Sequence, residues 1–394
     1  MSQETDLKYW VALHRVQGLG PVRFGRIETY FGNMEAAWSA SRLQLREAGL
    51  ENAYVEELDR LRRETSPDGE LDKLDQLGIQ PVYLRSPEYP ESLREIFDPP
   101  SVLYVKGVVP VEHTHSVAVV GSRRPTPYGR EMSRRLSAEL ASSGVTVYSG
   151  LARGIDGIAH RAAVDTDGQT VAVVGGGLDS IYPAEHTELA QDIVNHGGAV
   201  VTEYPVGTRP KPEHFPRRNR VISGLTRGVV VVEGKRTSGA MLTVKWALEQ
   251  DREVFAVPGN VLSENSDGPN WLIQQGAKLV TSGHDVLEEL GIKPTDPTGR
   301  AKTNKARSAG TQDQLGVDSL ARENNEINIE SRIVDFIAAS GGTAHVDDIT
   351  RSASTTASVV SSALTVLELR GVLRQVGPML FAIEPGSAQS DFRR

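Results

Sequence analysis

Arginine next to glycine at the end of an apolar run suits one chemistry above others, the holding of phosphate. Glycine lets a backbone approach closely, amides and hydroxyls donate to phosphate oxygens, and a guanidinium adds a bidentate charge. Four segments have this character: Gly121-Ser122-Arg123-Arg124, Ser149-Gly150-Leu151-Ala152-Arg153-Gly154-Ile155-Asp156, Gly175-Gly176-Gly177 and Phe215-Pro216-Arg217-Arg218-Asn219-Arg220. Positive charge is densest between Gly207 and Arg220, where Arg209, Lys211, Arg217, Arg218 and Arg220 meet one acid, Glu213. His214 and Phe215 put flat rings among those cations. Stacked bases and a tracked backbone are how single strands are held without sequence preference. Lys235 and Arg236 add charge after a later apolar run, with Ser238 placed as a helix cap. The candidate DNA-binding set is therefore Gly121, Ser122, Arg123, Arg124, Arg153, Gly175, Gly176, Lys211, Phe215, Arg217, Arg218, Asn219, Arg220 and Lys235.

Catalytic patterns are scarce. Asp156 and His160 stand four residues apart, as two metal ligands on one helix face would, but no third ligand is near in sequence, and a hydrogen-bonded helix start accounts for them. No Walker loop, His-Glu-x-x-His or Gly-x-Ser-x-Gly pattern occurs. A nucleotide-processing enzyme of the phosphoribohydrolase type is the competing reading. Its Pro-Gly-Gly-x-Gly-Thr loop has no counterpart in Glu233-Gly234-Lys235-Arg236-Thr237-Ser238-Gly239. The expectation is a binding protein without catalytic residues, metal or cofactor.

The elements that must present these loops read as a doubly wound sheet. Val117–Val120, Val145–Tyr148, Val171–Val174, Ala199–Thr202, Val229–Val232 and Val254–Val257 are apolar on both faces, as strands covered by helices on each side must be. Tyr128–Ser142, Ile155–Ala163, Glu185–Asn195 and Ser238–Gln250 are long enough for the crossover helices. In such a sheet the loops at the carboxyl ends of the strands share one crevice. The fold class is α/β, a Rossmann-like doubly wound parallel sheet over residues 76–291.

Residues 1–75 form a small helical unit in which Gly18-Leu19-Gly20-Pro21 separates Leu7–Val16 from Val22–Phe31. It resembles a sterile-alpha-motif or helix-hairpin-helix unit, and phosphate contact and plain packing both remain open for it. Residues 292–325 are polar and aperiodic, a flexible linker. Residues 326–385 read as a winged helix: helices at Ile327–Ala339, His345–Ser352 and Thr355–Arg370, then two strands around Gly377-Pro378. Its presumed recognition helix offers Thr355, Thr356, Ser358, Ser361, Ser362 and Thr365, with only Arg370 basic. That is poor equipment for duplex phosphates, so protein contact or packing is expected of it rather than duplex regulation.

With 43 Lys and Arg against 51 Asp and Glu, the net charge is −8, so a nucleic-acid site must be a local basic patch. Cysteine is absent, which excludes disulfides and thiolate-ligated metals. No apolar run approaches membrane-spanning length and the amino terminus is polar, so a cytoplasmic protein is expected.

Taken in order, Tyr89-Pro90, Asp98-Pro99-Pro100, the Gly-Ser-Arg loop, Ser-Gly-Leu-Ala-Arg-Gly-Ile-Asp, Gly-Gly-Gly-Leu-Asp with Tyr182-Pro183, Phe-Pro-Arg-Arg-Asn-Arg and Pro258-Gly259-Asn260 resemble the DNA-processing protein A family, also called Smf. The resemblance covers about Tyr89 to Leu290. It implies single-stranded DNA binding in the crevice, with Arg123 gripping a phosphate, and loading of the RecA recombinase onto incoming strands during natural transformation, with single-strand-binding protein a further partner. It also implies a homodimer through the Trp271–Val280 region, with Leu279 and Asn270 at the interface. Many relatives carry a basic residue after the Tyr-Pro dipeptide; here it is Ala184, for which Lys211 or Arg217 would have to compensate.

Overall fold

Runs that are apolar at every position have two faces to bury, and that requirement sets the centre of the molecule. In the computed structural model they lie in a nine-stranded sheet: β1 (Gln80–Tyr83), β2 (Val102–Gly107), β3 (Ser116–Val120), β4 (Thr146–Ser149), β5 (Thr170–Val173), β6 (Ala199–Thr202), β7 (Gly228–Val231), β8 (Glu253–Ala256) and β9 (Lys278–Leu279). The structure describes residues 3–110, 115–293, 332–338, 340, 342–353, 357–369, 372–377 and 379–383. They belong to two units, Met1–Ala301 and Lys302–Arg394.

The strand order is β1-β2-β6-β5-β4-β3-β7-β8-β9. From β6 to β9 every pairing is parallel, with Val117 opposite Val147 on one side of β3 and Val120 opposite Val231 on the other. β1 and β2 extend the sheet antiparallel. They went unforeseen because Pro81 and Lys106 interrupt the apolar pattern. The chain winds outward from β3 through β4, β5 and β6, then returns to place β7 on the other flank of β3. That reversal opens a crevice beyond the carboxyl ends of β3 and β7.

Helices cover both faces. α1 to α6 occupy Gln3–His14, Pro21–Phe31, Met34–Ser39, Arg42–Glu47, Asn52–Glu64 and Pro67–Gln76, and α7 is Glu91–Arg94. The sheet helices are α8 (Pro127–Ser142), α9 (Ile155–Asp165), α10 (Thr187–Asn195), α11 (His214–Gly224), α12 (Gly239–Glu249), α13 (Asp267–Gln274) and α14 (Gly283–Leu290). Leu136, Leu140, Ala159 and Val286 from α8, α9 and α14 close one face over Val117 and Val119. Val221, Ile222 and Val244 from α11 and α12 close the other over Val120 and Val229.

The amino-terminal helices are six rather than the two flanking the glycine turn. They share a core with the sheet: Trp10 stacks on Phe24 at 4.8 Å, and His14 Nδ1 bonds the Tyr104 hydroxyl of β2 at 3.1 Å.

In the second unit, β10 (Thr343–His345), β12 (Leu380–Ile383) and β11 (Leu373–Gly377) make an antiparallel sheet beside α15 (residues 332–338), α16 (Val346–Ala353) and α17 (Ala357–Leu369). Ile337, Ile349, Val360, Leu364 and Phe381 form its core, a winged helix. His345, expected in a helix, ends the unforeseen strand β10. Thr355, Thr356 and Arg370, like linker residues 294–325, lie outside the described residues.

Candidate nucleic-acid interface

The crevice is built from loops that fit one another before any ligand enters. Gly154 has φ +79°, and a Cβ there would lie 2.3 Å from the Ser122 carbonyl oxygen. The Ile155 amide donates to that same oxygen at 3.1 Å. This nesting locks the Gly-Ser-Arg loop against the start of α9, and Arg123 and Arg124 stand exposed above it. Ser122 Oγ accepts from the Arg124 amide at 3.1 Å, so it braces its own turn.

Beneath, the Asp156 carboxylate accepts from the amides of Gly150 (3.1 Å) and Ala152 (3.4 Å). Burial pushes its pKa up, against the pull of Arg218 and these amides. His160 lies deeper, bonded through Nδ1 to Thr170 Oγ1 at 2.7 Å, and burial lowers it to about 3. Asp156 and His160 thus serve separate partners. Among the described residues no group of three or more His, Asp or Glu could hold a metal ion.

Arg218 and Arg220 are where sequence and structure part. Both are proposed DNA contacts on charge alone, yet only 4% and 2% of their surfaces are exposed. Arg218 Nη1 donates to the Gly150 carbonyl at 2.7 Å and to that of Val173, and burial lowers the guanidinium to about 10. A Cβ on Gly150 would sit 2.5 Å from Nη1, which explains that glycine. Arg220 forks onto Glu203 at 2.6 and 2.9 Å and reaches Asp98 at 3.2 Å. These two arginines hold α11 to the sheet.

The glycines at 175 and 176 likewise make room for the protein itself. A Cβ on Gly175 would lie 3.2 Å from the Phe215 ring, and one on Gly176 2.9 Å from Pro210. Phe215 then faces Tyr182 at 5.7 Å between centroids, and the Arg123 guanidinium lies 5.5 Å from the Phe215 centroid. Arg123, Phe215 and Tyr182 line a cavity of about 790 Å³ with Ser122, Arg124 and, from the β7 side, Lys235, Thr237, Ser238 and Gly239. Asn219 lines it too and donates to the Gly239 carbonyl at 3.2 Å.

Helix α11 divides the remaining cations. Lys211 and Arg217 line a separate groove of about 680 Å³, facing the Arg15–Pro21 turn together with Arg209 and His214. Neither therefore stands in the crevice to replace the side chain missing at Ala184. Arg153 is exposed and paired with Glu185 at 2.8 Å, and Lys235 is paired with Glu264. Arg123 and Arg124 have no ion pair among the described residues.

Ser238 was unmarked in sequence except as a cap. Its backbone has cap geometry (φ −74°, ψ 158°), but its side chain makes no cap bond, and its Oγ is buried without a partner in the crevice lining. Glu233, which follows β7, is consumed by the Thr126 amide (2.9 Å) and hydroxyl (2.5 Å).

A family model described as "DNA recombination-mediator protein A" matches residues 80–291, more than half of the chain. The chain belongs to this family. A second model, the DprA winged helix domain, matches residues 324–377. The DNA processing protein DprA of Bacillus subtilis is 40% identical over 263 residues, 66% of this chain and 86% of that protein. Protein Smf of Escherichia coli is 48% identical over 202 residues, which are 51% of this chain and 54% of that one. The X-ray structure of DprA from Streptococcus pneumoniae superposes with a TM-score of 0.61 and 36% identity, covering 72% of this chain and 97% of that one. Membership makes the chain a DNA recombination-mediator family protein. Among the described residues of this DprA-family chain, no helix is long and apolar enough to cross a membrane.

The two expected interface residues have different settings. Asn270 exchanges hydrogen bonds with the Gly259 backbone at 3.0 and 3.1 Å, stapling the loop after β8. Leu279 is 45% exposed on β9, the edge strand. Val261 and Leu262, 87% and 90% exposed just past the same end of the sheet, carry no alternating pattern and were not singled out in sequence.

Proposed function

We propose that this chain binds single-stranded DNA in the crevice without sequence preference and passes it to the RecA recombinase during natural transformation. The observation that carries this is Arg123: exposed, free of any carboxylate among the described residues, and set against the Phe215 ring. A cation and an aromatic face side by side match a phosphate and its base, and each contact of this kind is sequence-tolerant. The unpartnered Ser238 hydroxyl at the start of α12 offers a second phosphate donor across the cavity. Asp156 in the crevice lining and Glu233 after β7 are occupied by loop amides and a hydroxyl. That supports a binding role over nucleotide hydrolysis.

The working unit in this proposal is a homodimer joined along the β9 edge. A strand edge with an exposed leucine is suited to an isologous contact, in which a charge introduced at Leu279 meets its own copy. The test is RecA filament nucleation on strands coated with single-strand-binding protein. The chain should accelerate nucleation, and Arg123→Glu and Leu279→Glu should each blunt the effect, the latter giving monomers by light scattering. No acceleration by the parent chain would contradict the recombinase assignment, and release of base or phosphate from nucleotides would support the hydrolase.

A further inference from the structure

A second cation-lined cavity, of about 490 Å³, lies between the first half of α8 and the length of α9. None of its α8 or α9 arginines belongs to the motifs at the strand ends. Arg130 and Arg134 come from α8, one helical turn apart and so on one face. Arg161 comes from α9, and Arg153 from the turn that leads into it. The fifth arginine is Arg123, which lines the crevice as well. One guanidinium is the shared wall of both cavities.

The acids around this cleft meet its arginines in exposed pairs, Arg134 and Arg153 each forked onto one carboxylate. Arg134 pairs with Glu131 at 2.5 Å, Arg161 with Asp192 at 2.9 Å and Arg153 with Glu185 at 2.8 Å. Every one of these arginine side chains is more than 40% exposed. Exposed pairs of this kind contribute about 0–1 kcal/mol each, so a phosphate displaces the carboxylate at small cost. Arg130 is exposed and has no ion pair among the described residues. α8 and α9 also both start at carboxyl ends of strands, so the positive ends of their dipoles lie toward the crevice side.

We propose that this cleft carries the continuation of the strand held in the crevice. The path of single-stranded DNA runs from the crevice past Arg123 and over the arginine face of α8 and α9. The ligand is the phosphodiester backbone alone, since Phe215 and Tyr182 lie on the crevice side and the cleft lining has no aromatic ring apart from His186. An acidic peptide would also neutralise these arginines, but it gives no role to the side chain shared with the crevice. The inference rests on the crevice reading, and its test separates the two.

The experiment measures binding of full-length protein to thymidine strands of about 6 and about 20 nucleotides, lengths that bracket a single module's site, across a salt series. Arg130→Glu with Arg134→Glu should leave the short strand bound within about twofold. The long strand should lose about tenfold or more, and its log–log salt slope should fall by about 1.4, the value for two phosphates lost from a single strand. Both side chains are exposed, so the melting temperature should hold. The milder pair Arg130→Gln with Arg134→Gln should fall between. Unchanged long-strand affinity and slope would overturn the path, as would loss of poly-glutamate binding with the long strand retained. If Arg123→Glu leaves the short strand bound at full affinity, the crevice reading itself fails, whatever the cleft does.

Discussion

The crevice and the groove on the other side of α11 are both lined by arginines, yet they use them oppositely. On the groove side Arg217 and Arg220 meet Asp98 and Glu203, with Glu203 only 8% exposed. On the crevice side Arg123 and Arg124 meet no carboxylate among the described residues. A guanidinium already forked onto a buried carboxylate has its donors filled and its charge cancelled. Local charge density therefore ranks these arginines wrongly for phosphate binding, and the partners each one has already found rank them better.

The largest way to sharpen this contrast is Arg220→Met. Removing the cation leaves Glu203 buried without its counter-charge, so stability should fall by about 3–5 kcal/mol in chemical denaturation. A loss below about 1 kcal/mol, with single-strand affinity abolished, would move Arg220 from the groove's framework to the ligand.

The crevice floor is expected to be as intolerant of new charge as its rim is receptive to phosphate. His160 titrates at about 3 in the folded chain because of burial first, then His186 and Arg218. Its ordinary value is about 6.5, so on acidification the unfolded state takes up the proton first and stability drains between pH 6.5 and 3. From this ring alone the loss should reach roughly 2 kcal/mol between pH 7 and pH 5. His160→Asn should flatten the dependence by that amount, and an unchanged slope would show that the ring is not held neutral.

The smallest expected effect is at Arg217, whose side chain is 49% exposed and whose contacts to Asp98 and Glu203 are long, 3.8 and 3.6 Å. Arg217→Gln should change stability by no more than about 1 kcal/mol. Single-strand affinity should shift less than threefold. A tenfold loss of affinity would extend the DNA site into the groove and erase the contrast.

Six of the seven parallel strands were legible to within a residue or so because valine-rich runs have few other uses, and the glycine loops followed from where those runs end; the two-residue β9 was too short to show. Helix α11 was not. Its buried face is Arg218, Asn219, Arg220 and Ser223 beside Val221 and Ile222, so the apolar period that marks a buried helix is absent, and its arginines read as surface charge. Gly150 and Gly175 were noticed correctly as positions of close approach, but a sequence cannot say whether a ligand approaches or, as here, Arg218 and Phe215 do. Ser238 shows the converse. The sequence marks it as an ordinary cap, and only the missing cap bond reveals a free hydroxyl.

The central claim is that rim charge not held by a buried carboxylate, and not the total of nearby arginines, holds the strand. It is tested most directly by titrating the parent chain and Arg123→Glu with single strands of several sequences across a salt series. The parent should bind all sequences alike, with affinity falling linearly in log–log salt as several phosphate contacts require. Arg123→Glu should bind each of them at least about tenfold more weakly with a shallower slope and an unchanged melting temperature. Full affinity in the variant, or a loss confined to one sequence, would contradict the account.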